Sequence, residues 1–178
     1  MKTKISCIIP VYNEGPRIAK VLKIICGHPV IDELIVVNDG SKDNSLDIIK
    51  QFKGIKIISY TLNKGKSYAI MEGLNAAKNN LVMLIDSDLV GLNKSNIHNL
   101  ALPLIKNQAD VSISLRKNSL LIYKLMGIDF VSGERVFNKN IFGNLKSLKR
   151  IPGFGLESLM NKRIIKKHLK IKIVRWDM

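Results

Sequence analysis

Short apolar runs alternate along the chain with stretches in which apolar residues recur at helical spacing. The runs are rich in Ile and Val, which predicts buried strands, and the recurring spacing predicts amphipathic helices. Because most runs show no polar alternation, both faces of their sheet are expected to be covered by helices. The pattern predicts strands over residues 5–11, 33–37, 55–60, 81–86 and 110–115. It predicts a first helix that starts at Pro16 and a second helix that Asp43 and Ser45 can cap. Two further helices are predicted over residues 66–79 and 95–107.

Strand and helix alternation of this kind predicts an α/β fold with a mostly parallel sheet flanked by helices. Ligands of such sheets bind at the carboxyl ends of the strands. Polar clusters follow three of the predicted strands, at residues 12–14, 38–41 and 86–88. They are therefore expected to meet at one edge of the sheet and to form a single site.

The pattern becomes less regular after residue 115. A short amphipathic helix is predicted over residues 120–126, a longer one over 155–169 and a strand near 171–176. The length of 178 residues fits one domain. We therefore expect a single domain over 1–178, with a regular half at 1–115 and a less regular half at 116–178, in a chain that is a truncated product or an excerpt.

The charge balance is strongly basic, with 29 Lys and Arg against 14 Asp and Glu and a formal net charge of +15. Such a surface attracts phosphate in nucleic acid, in lipid headgroups or in metabolites, and charge alone does not choose among them. Apolar runs are of strand length and the start of the chain does not resemble a signal peptide, so a cytoplasmic location is expected. Cys7 and Cys26 are expected to be reduced thiols, and His28 and His98 to lie at the surface.

Asp86 and Asp88 carry the clearest chemistry. Residues two apart at a strand end point to the same side, so the two carboxylates are expected to face one site. Hard oxygen ligands favour Mg²⁺ or Mn²⁺, and one aspartate can bind the metal while the other takes a ribose hydroxyl or a metal-bound water. The alternative is an ordinary polar turn after a strand.

Four segments in order, residues 8–14, 33–41, 63–66 and 86–88, resemble the signatures of family 2 glycosyltransferases. That resemblance implies the GT-A fold, a nucleotide-binding α/β sheet, and a nucleotide-sugar donor held with a divalent metal. It places the base and ribose against residues 10–14, Asp39 on the base, the lysines near the nucleotide, and Asp88 as the direct metal ligand beside Asp86. The implied donor and metal residues are Pro10, Tyr12, Glu14, Asp39, Lys64, Lys66, Asp86, Ser87 and Asp88.

Two of these segments also have simpler interpretations. Residues 38–41 can be a turn that caps the next helix, and residues 64–66 can be a solvated loop. Ser67 stands where the family usually has a glycine, which leaves the approach of this loop to the donor open.

The second half resembles two related groups. Residues 132–137 are similar to a segment of polyprenyl-phosphate sugar synthases, and together with residues 152–157 they also resemble glucosyl-3-phosphoglycerate synthases. This resemblance makes Glu157 a candidate catalytic carboxylate beside Asp88, either as a general base on an acceptor hydroxyl or as a group that orients the sugar. Glu157 can also be an acid that simply favours a helix N-terminus, and Glu134 is the substitute if Glu157 has no such role. The second group has a further metal-ligating histidine downstream; this sequence ends before any such residue, so that ligand is expected to be either absent or cut off.

Together these features predict transfer of a hexose from UDP-hexose or GDP-hexose to a phosphorylated acceptor. The acceptor is expected to be a polyprenyl phosphate at the inner face of the membrane or a small phosphorylated acid, since the basic second half favours phosphate. Alternatives are a non-catalytic nucleotide-sugar-binding remnant and a sugar-phosphate nucleotidyltransferase, although the latter would normally have a glycine-rich loop after the first strand. A nucleic-acid binder is disfavoured by sparse aromatic residues and by the lack of a nucleic-acid motif.

Overall fold

A seven-stranded sheet with helices on both faces forms the molecule. The computed structural model describes residues 4–117, 133–143 and 155–177. The strands are β1 (Ile5–Val11), β2 (Ile31–Asp39), β3 (Ile55–Tyr60), β4 (Leu81–Leu84), β5 (Val111–Arg116), β6 (Arg135–Asn138) and β7 (Ile171–Trp176). The helices are α1 (Gly15–Ile25), α2 (Ser45–Lys50), α3 (Lys66–Ala76), α4 (Lys94–Ile105) and α5 (Gly155–Lys166), with a short 3₁₀ turn at Lys139–Phe142.

The strands lie in the order β3-β2-β1-β4-β6-β5-β7. All neighbouring pairs are parallel except those of β6, which runs antiparallel to both β4 and β5. The prediction of a mostly parallel α/β sheet is thus confirmed. The sequence pattern did not reveal β6, because a strand of four residues that includes an arginine shows no apolar run.

Two apolar cores lie on opposite faces of the sheet. Along β1, Ile9 and Val11 point to the face covered by α1, α2 and α4, whereas Ile8 points to the face covered by α3 and α5. This alternation follows from the two-residue repeat of a strand. Trp176, at the end of β7, is 1% exposed and belongs to the first core. Burial on both faces explains why these strands consist of unbroken Ile and Val.

Parallel pairing brings several strand ends to one edge. Val11 at the end of β1 pairs with Asn38 in β2, and Ile8 in β1 pairs with Leu84 at the end of β4. Because β6 runs the other way, its amino end arrives at the same edge, carrying Gly133 and Glu134. The carboxyl ends of β5 and β7 complete that edge, where Arg116 pairs with Trp176.

Some local predictions need correction. The third helix ends at Ala76 rather than at residue 79, because Ala77 is already extended, and β4 ends at Leu84, so Asp86 and Asp88 lie in a loop. His28 is buried rather than at the surface: its ring contacts the Lys94 carbonyl at 3.1 Å, and burial lowers the pKa of His28. The predicted helix at 120–126, Ser132 and residues 152–154 lie outside the described residues.

Cys7 and Cys26 are both free, as predicted, and burial raises the pKa of the Cys7 thiol. Within the described part of the chain, no helix is both long enough and apolar enough to cross a membrane.

Candidate functional site

A cavity of about 260 Å³ opens at the carboxyl ends of β1, β2 and β4. It brings together residues from all four segments that the sequence singled out. Asp86 and Asp88 therefore share one cavity with Tyr12 and Asp39. The lining residues are Pro10, Val11, Tyr12, Glu14, Asp39, Asn63, Lys66, Asp86, Ser87 and Asp88.

The loop after β1 is fixed by side chains of the loop after β2. The backbone N–H of Glu14 donates to the Ser45 hydroxyl at 2.9 Å, and that of Gly15 donates to the Asp43 carboxylate at 3.0 Å. The carboxylate of Glu14 pairs with Arg17. Asp43 also accepts from the Ser45 N–H at 3.0 Å, but Asn44 occupies the N-cap position of α2 and Ser45 is its first residue, so the prediction that Asp43 and Ser45 cap this helix is wrong. The larger effect of Asp43 is to hold the cavity wall around Tyr12, which is 45% exposed at the rim.

Asp39 organises the loop before α3. Its carboxylate is 2% exposed and accepts the backbone N–H groups of Lys64 at 2.7 Å and Gly65 at 2.9 Å. The Asn63 side-chain amide donates to the same carboxylate at 3.1 Å. Charge-assisted bonds of this kind are the strong ones in proteins. The turn at residues 38–41 is therefore more than a helix cap, and most of the hydrogen-bonding capacity of Asp39 is used within the protein.

Gly40 is required by the approach of these two loops. Its φ is +69°, and a Cβ there would lie 2.7 Å from the Asn63 nitrogen and 2.7 Å from the Leu62 carbonyl carbon. We expect Gly40→Ala to lower the free energy of unfolding by about 3 kcal/mol, as left-handed backbone strain adds to the overlap. Gly54→Ala is the matched control, since its φ is +75° but nothing lies within 4 Å of the added carbon. Urea unfolding should show a loss of only about 1 kcal/mol for the control, and equal losses for both variants would contradict the close contact.

Lys64 does not line the cavity. Its ammonium lies 5.1 Å from the ring centre of Tyr60 and 4.7 Å from that of Tyr68, which are positions typical of cation–π contacts. The two tyrosine rings pack edge to face. The side chain thus stabilises the loop, while the backbone N–H of Lys64 is held by Asp39.

Lys66, at the start of α3, joins two carboxylates. Its ammonium lies 2.8 Å from Asp86 and 3.6 Å from Glu157. Burial alone would lower the pKa of Lys66, but the charges of Asp86 and Glu157 outweigh burial and raise it. Lys66 is therefore a permanent cation at the cavity wall, and it connects the loop after β4 to α5.

The two aspartates differ in their surroundings. Asp86 is paired with Lys66 and its side chain is 21% exposed, whereas Asp88 is exposed and, within the described part of the chain, has no ion-pair partner. Gly133 lies against Asp86: a Cβ there would be 2.6 and 2.7 Å from the two carboxylate oxygens. Glycine at this position therefore allows the backbone before β6 to approach the Asp86 carboxylate closely. A pair of carboxylates with open space beside them suits a divalent cation that takes its remaining ligands from substrate phosphates and water.

Glu157 and Glu134 are both buried but differently placed. Glu157, in the first turn of α5, is 4% exposed; one of its oxygens faces Lys66, and within the described residues the other has no hydrogen-bond partner. Glu134 is 0% exposed and accepts from the Ser114 hydroxyl at 2.6 Å. Glu157 is thus the carboxylate with acceptor capacity directly behind the cavity wall.

The family model for glycosyl transferase family 2 matches residues 6–149, most of the described sheet. The chain belongs to glycosyl transferase family 2. The predicted membership is thereby confirmed, and all residues that line the cavity lie within the matched range.

Two named bacterial proteins resemble parts of this chain. It is 34% identical over 90 residues to a poly-β-1,6-N-acetyl-D-glucosamine synthase of Staphylococcus epidermidis, covering 48% of this chain and 22% of that protein. It is 27% identical over 124 residues to a dodecaprenyl-phosphate galacturonate synthase of Rhizobium johnstonii, covering 65% of this chain and 36% of that protein. The chain therefore spans well under half the length of these relatives.

Solved structures confirm the GT-A fold. Glucosyl-3-phosphoglycerate synthase from Mycobacterium tuberculosis, crystallised with Mn²⁺, UDP and glucosyl-3-phosphoglycerate, superposes with a TM-score of 0.81 at 22% identity, over 99% of this chain and 71% of that one. The same enzyme with Mn²⁺ and UDP-glucose gives a TM-score of 0.82 at 23% identity. At this identity the likeness establishes the architecture.

Sequence reasoning missed several features of this family 2 site. Val11 and Asn63 line the cavity without having been singled out, although both lie inside the matching segments. The link from Asp86 through Lys66 to Glu157 was also missed. No local pattern signals such a link, because its three members lie on segments that are far apart along the chain.

Proposed function

We propose that this chain is the donor-binding domain of a metal-dependent hexosyltransferase. It would bind UDP-hexose or GDP-hexose and transfer the hexose to a phosphorylated acceptor. The observation that carries this proposal is the convergence of Asp86, Asp88, Asp39 and Tyr12 on one cavity at the carboxyl edge of the sheet. Parallel sheets bind their ligands at this edge.

Within the cavity we assign the base and ribose to the side formed by β1 and β2. Pro10 and Tyr12 offer apolar surface to a base, and the hydroxyls of a ribose suit the carboxylates of Glu14 and Asp39 as hydrogen-bond acceptors. Because Asp39 already accepts three hydrogen bonds from residues 63–65, we infer that it acts chiefly by placing Asn63 against the base.

The diphosphate belongs at the side formed by residues 86–88. We assign Asp88 as the direct ligand of Mg²⁺ or Mn²⁺ and Asp86 as its neighbour toward a ribose hydroxyl or a metal-bound water, with Ser87 between them. When bound, such a cation neutralises the charge that develops on the departing diphosphate. Lys66 holds Asp86 in place and adds a fixed positive charge at the same wall.

Glu157 is assigned to the sugar. Its free oxygen lies behind Lys66 rather than in open solvent, which suits an acceptor for a sugar hydroxyl better than a base that must reach an incoming acceptor. The predicted role as general base is the alternative, and Glu134 is less suited because Ser114 already donates to it.

The acceptor is proposed to carry phosphate. The dodecaprenyl-phosphate galacturonate synthase and the glucosyl-3-phosphoglycerate synthase among the similar proteins bear the names of phosphorylated acceptors, one a lipid and one a small acid. The excess of basic residues favours either. A cytoplasmic location with contact to the inner face of the membrane remains a prediction.

The test is calorimetry of UDP and GDP in the presence of Mn²⁺, followed by release of labelled hexose from the matching sugar nucleotide. We expect one diphosphate to bind at least about tenfold more tightly with Mn²⁺ than in EDTA, and hexose release to require the metal. Binding that ignores the metal would contradict the proposal.

A second candidate is a non-catalytic binder of nucleotide sugars. It would use the same cavity and the same pair of carboxylates to hold the donor, without transferring the hexose. The same experiment separates the two, since a binder would retain the sugar nucleotide without releasing hexose at any metal concentration.

A further inference from the structure

A second cavity, of about 370 Å³, lies at the same edge of the sheet, two strands beyond β4. It is formed where β5 and β7 end, and the backbone N–H of Lys117 donates to the Trp176 carbonyl at 3.1 Å at its base. Its volume falls in the usual range for small-molecule sites. The lining residues are Leu115, Arg116, Lys117, Arg175, Trp176 and Asp177.

Most charged residues that line this second cavity are basic, and two N–H groups of its lining residues lack a hydrogen-bond partner within the described part of the chain. Arg116, Lys117 and Arg175 face one acid, Asp177, so the lining carries a net positive charge. Within the described part of the chain, the buried Nε of Arg116 and Nε1 of Trp176 have no hydrogen-bond partner. Buried N–H groups are nearly always paired in folded proteins, by protein, water or ligand. Both residues line the cavity, but these two N–H groups are themselves buried, so an oxyanion there would reach them only after a movement of the side chains.

The amino end of β6 joins the second cavity to the donor cavity. Gly133 lies against Asp86 in the donor cavity, and the next residue, Glu134, lies 3.7 Å from an Arg116 guanidinium nitrogen. Strands are spaced about 4.8 Å apart, so the ends of β4 and β7 are separated by roughly 14 Å. A small molecule or the head of a lipid can span this distance.

We propose that the second cavity holds the phosphate group of the acceptor, through the guanidinium groups of Arg116 and Arg175. That the bound phosphate belongs to the acceptor rests on the proposed function, whereas the binding of phosphate in this cavity does not depend on it. Lys117 adds a further positive charge to the lining, and Glu134 lies 3.7 Å from a guanidinium nitrogen of Arg116. The acceptor hydroxyl would then lie between the two cavities, beside Gly133.

Trp176 is the only tryptophan of the chain, so its fluorescence reports directly on this cavity. The experiment is a titration of the full chain with inorganic phosphate at constant ionic strength. The variant is Arg175→Gln, because Arg175 is exposed and its loss should not disturb folding. The matched control is Lys172→Gln, which removes the same charge from an exposed position of β7 away from the cavity.

We expect a saturable fluorescence change that Arg175→Gln weakens about tenfold in affinity and Lys172→Gln leaves unchanged. No saturable change, or equal weakening by both variants, would overturn the proposal. A second arm uses phosphatidylcholine vesicles with and without phosphatidic acid, to separate a lipid phosphate from a free one. Vesicle binding that depends on Arg175 while inorganic phosphate has no effect would overturn it in favour of a general membrane contact.

Calorimetry of UDP or GDP with Mn²⁺ on the same variants tests the proposed function separately from the proposed phosphate site. We expect Arg175→Gln to bind the nucleotide as the unmodified chain does. If no variant binds a nucleotide but phosphate still changes Trp176 fluorescence, the proposed function fails and the phosphate site stands. If nucleotide binds normally and phosphate does not, the phosphate site fails alone.

Discussion

Replacing Asp88 with alanine should reduce hexose transfer by a factor on the order of a hundred to a thousand, with little change in folding. Asp88 is exposed, so its removal leaves no cavity, and the free energy of unfolding should change by no more than about 0.5 kcal/mol. It is also the carboxylate of the pair that Lys66 does not neutralise. The loss should therefore appear in transfer and in metal-dependent nucleotide binding together.

The matched control for Asp88→Ala is Asp47→Ala, which removes the same charge from an exposed position on α2. We expect this control to change the turnover rate less than about twofold. Steady-state kinetics at saturating Mn²⁺ and a urea unfolding curve measure the two effects separately. An Asp88→Ala protein that transfers hexose within tenfold of the unmodified rate would show that the metal, if any, is held elsewhere.

Replacing Lys66 with methionine should remove transfer and also destabilise the fold. The change leaves Glu157, which is 4% exposed, without its cation and leaves two carboxylates facing each other across the wall. Breaking a buried pair is costly, but Lys66 is 35% exposed and water screens part of the interaction. We expect a loss of about 1–2 kcal/mol in the free energy of unfolding and a fall in transfer of about a hundredfold.

A double variant distinguishes the two effects of Lys66. Adding Glu157→Gln to Lys66→Met removes the stranded negative charge, so stability should recover by at least half while transfer stays lost. Lys50→Met, at an exposed position on α2, is the control for the loss of a lysine. Because the pKa of Lys66 is raised, the stabilising charge is present at neutral pH and is lost only as pH rises above the ordinary value of 10.5. Recovery of transfer in the double variant would contradict the role assigned to Lys66.

The convergence of the strand ends could be predicted from the sequence because it follows from two local facts. Unbroken Ile and Val runs indicated a sheet covered on both sides, and parallel strands bring their carboxyl ends to one edge. The meeting of Asp39 with Asp86 and Asp88 follows without any knowledge of individual contacts. The bounds of strands and helices were predicted less accurately. Helix α3, for example, ends at Ala76 because Ala77 is extended, and the local sequence does not signal that end.

Features that depend on pairing between distant charged groups could not be predicted. Arg135 is 0% exposed in β6 and donates to the Asn161 side chain of α5 at 2.8 Å, so a residue type that usually marks the surface lies in the sheet. Glu134 beside it is equally buried, against Ser114 of β5. The sequence shows such residues as polar positions, and only the three-dimensional partners explain their burial.

The net charge of the chain was less informative about the site than the positions of individual charged residues. Residues 139–175 contain one acid, Glu157, and it is buried against Lys66 rather than spread over the basic surface. Net charge predicted a phosphate partner of some kind, whereas the two proposed phosphate positions rest on individual paired and unpaired groups at the sheet edge.

We propose that Asp88 holds a divalent cation against the donor diphosphate. The most direct test is electron paramagnetic resonance of Mn²⁺, which measures the free ion, in the presence of the protein with and without the nucleoside diphosphate that binds. We predict that the diphosphate lowers free Mn²⁺ markedly with the unmodified chain and no more than in buffer alone with Asp88→Ala. Equal uptake of Mn²⁺ by both proteins in the presence of the diphosphate would contradict the account.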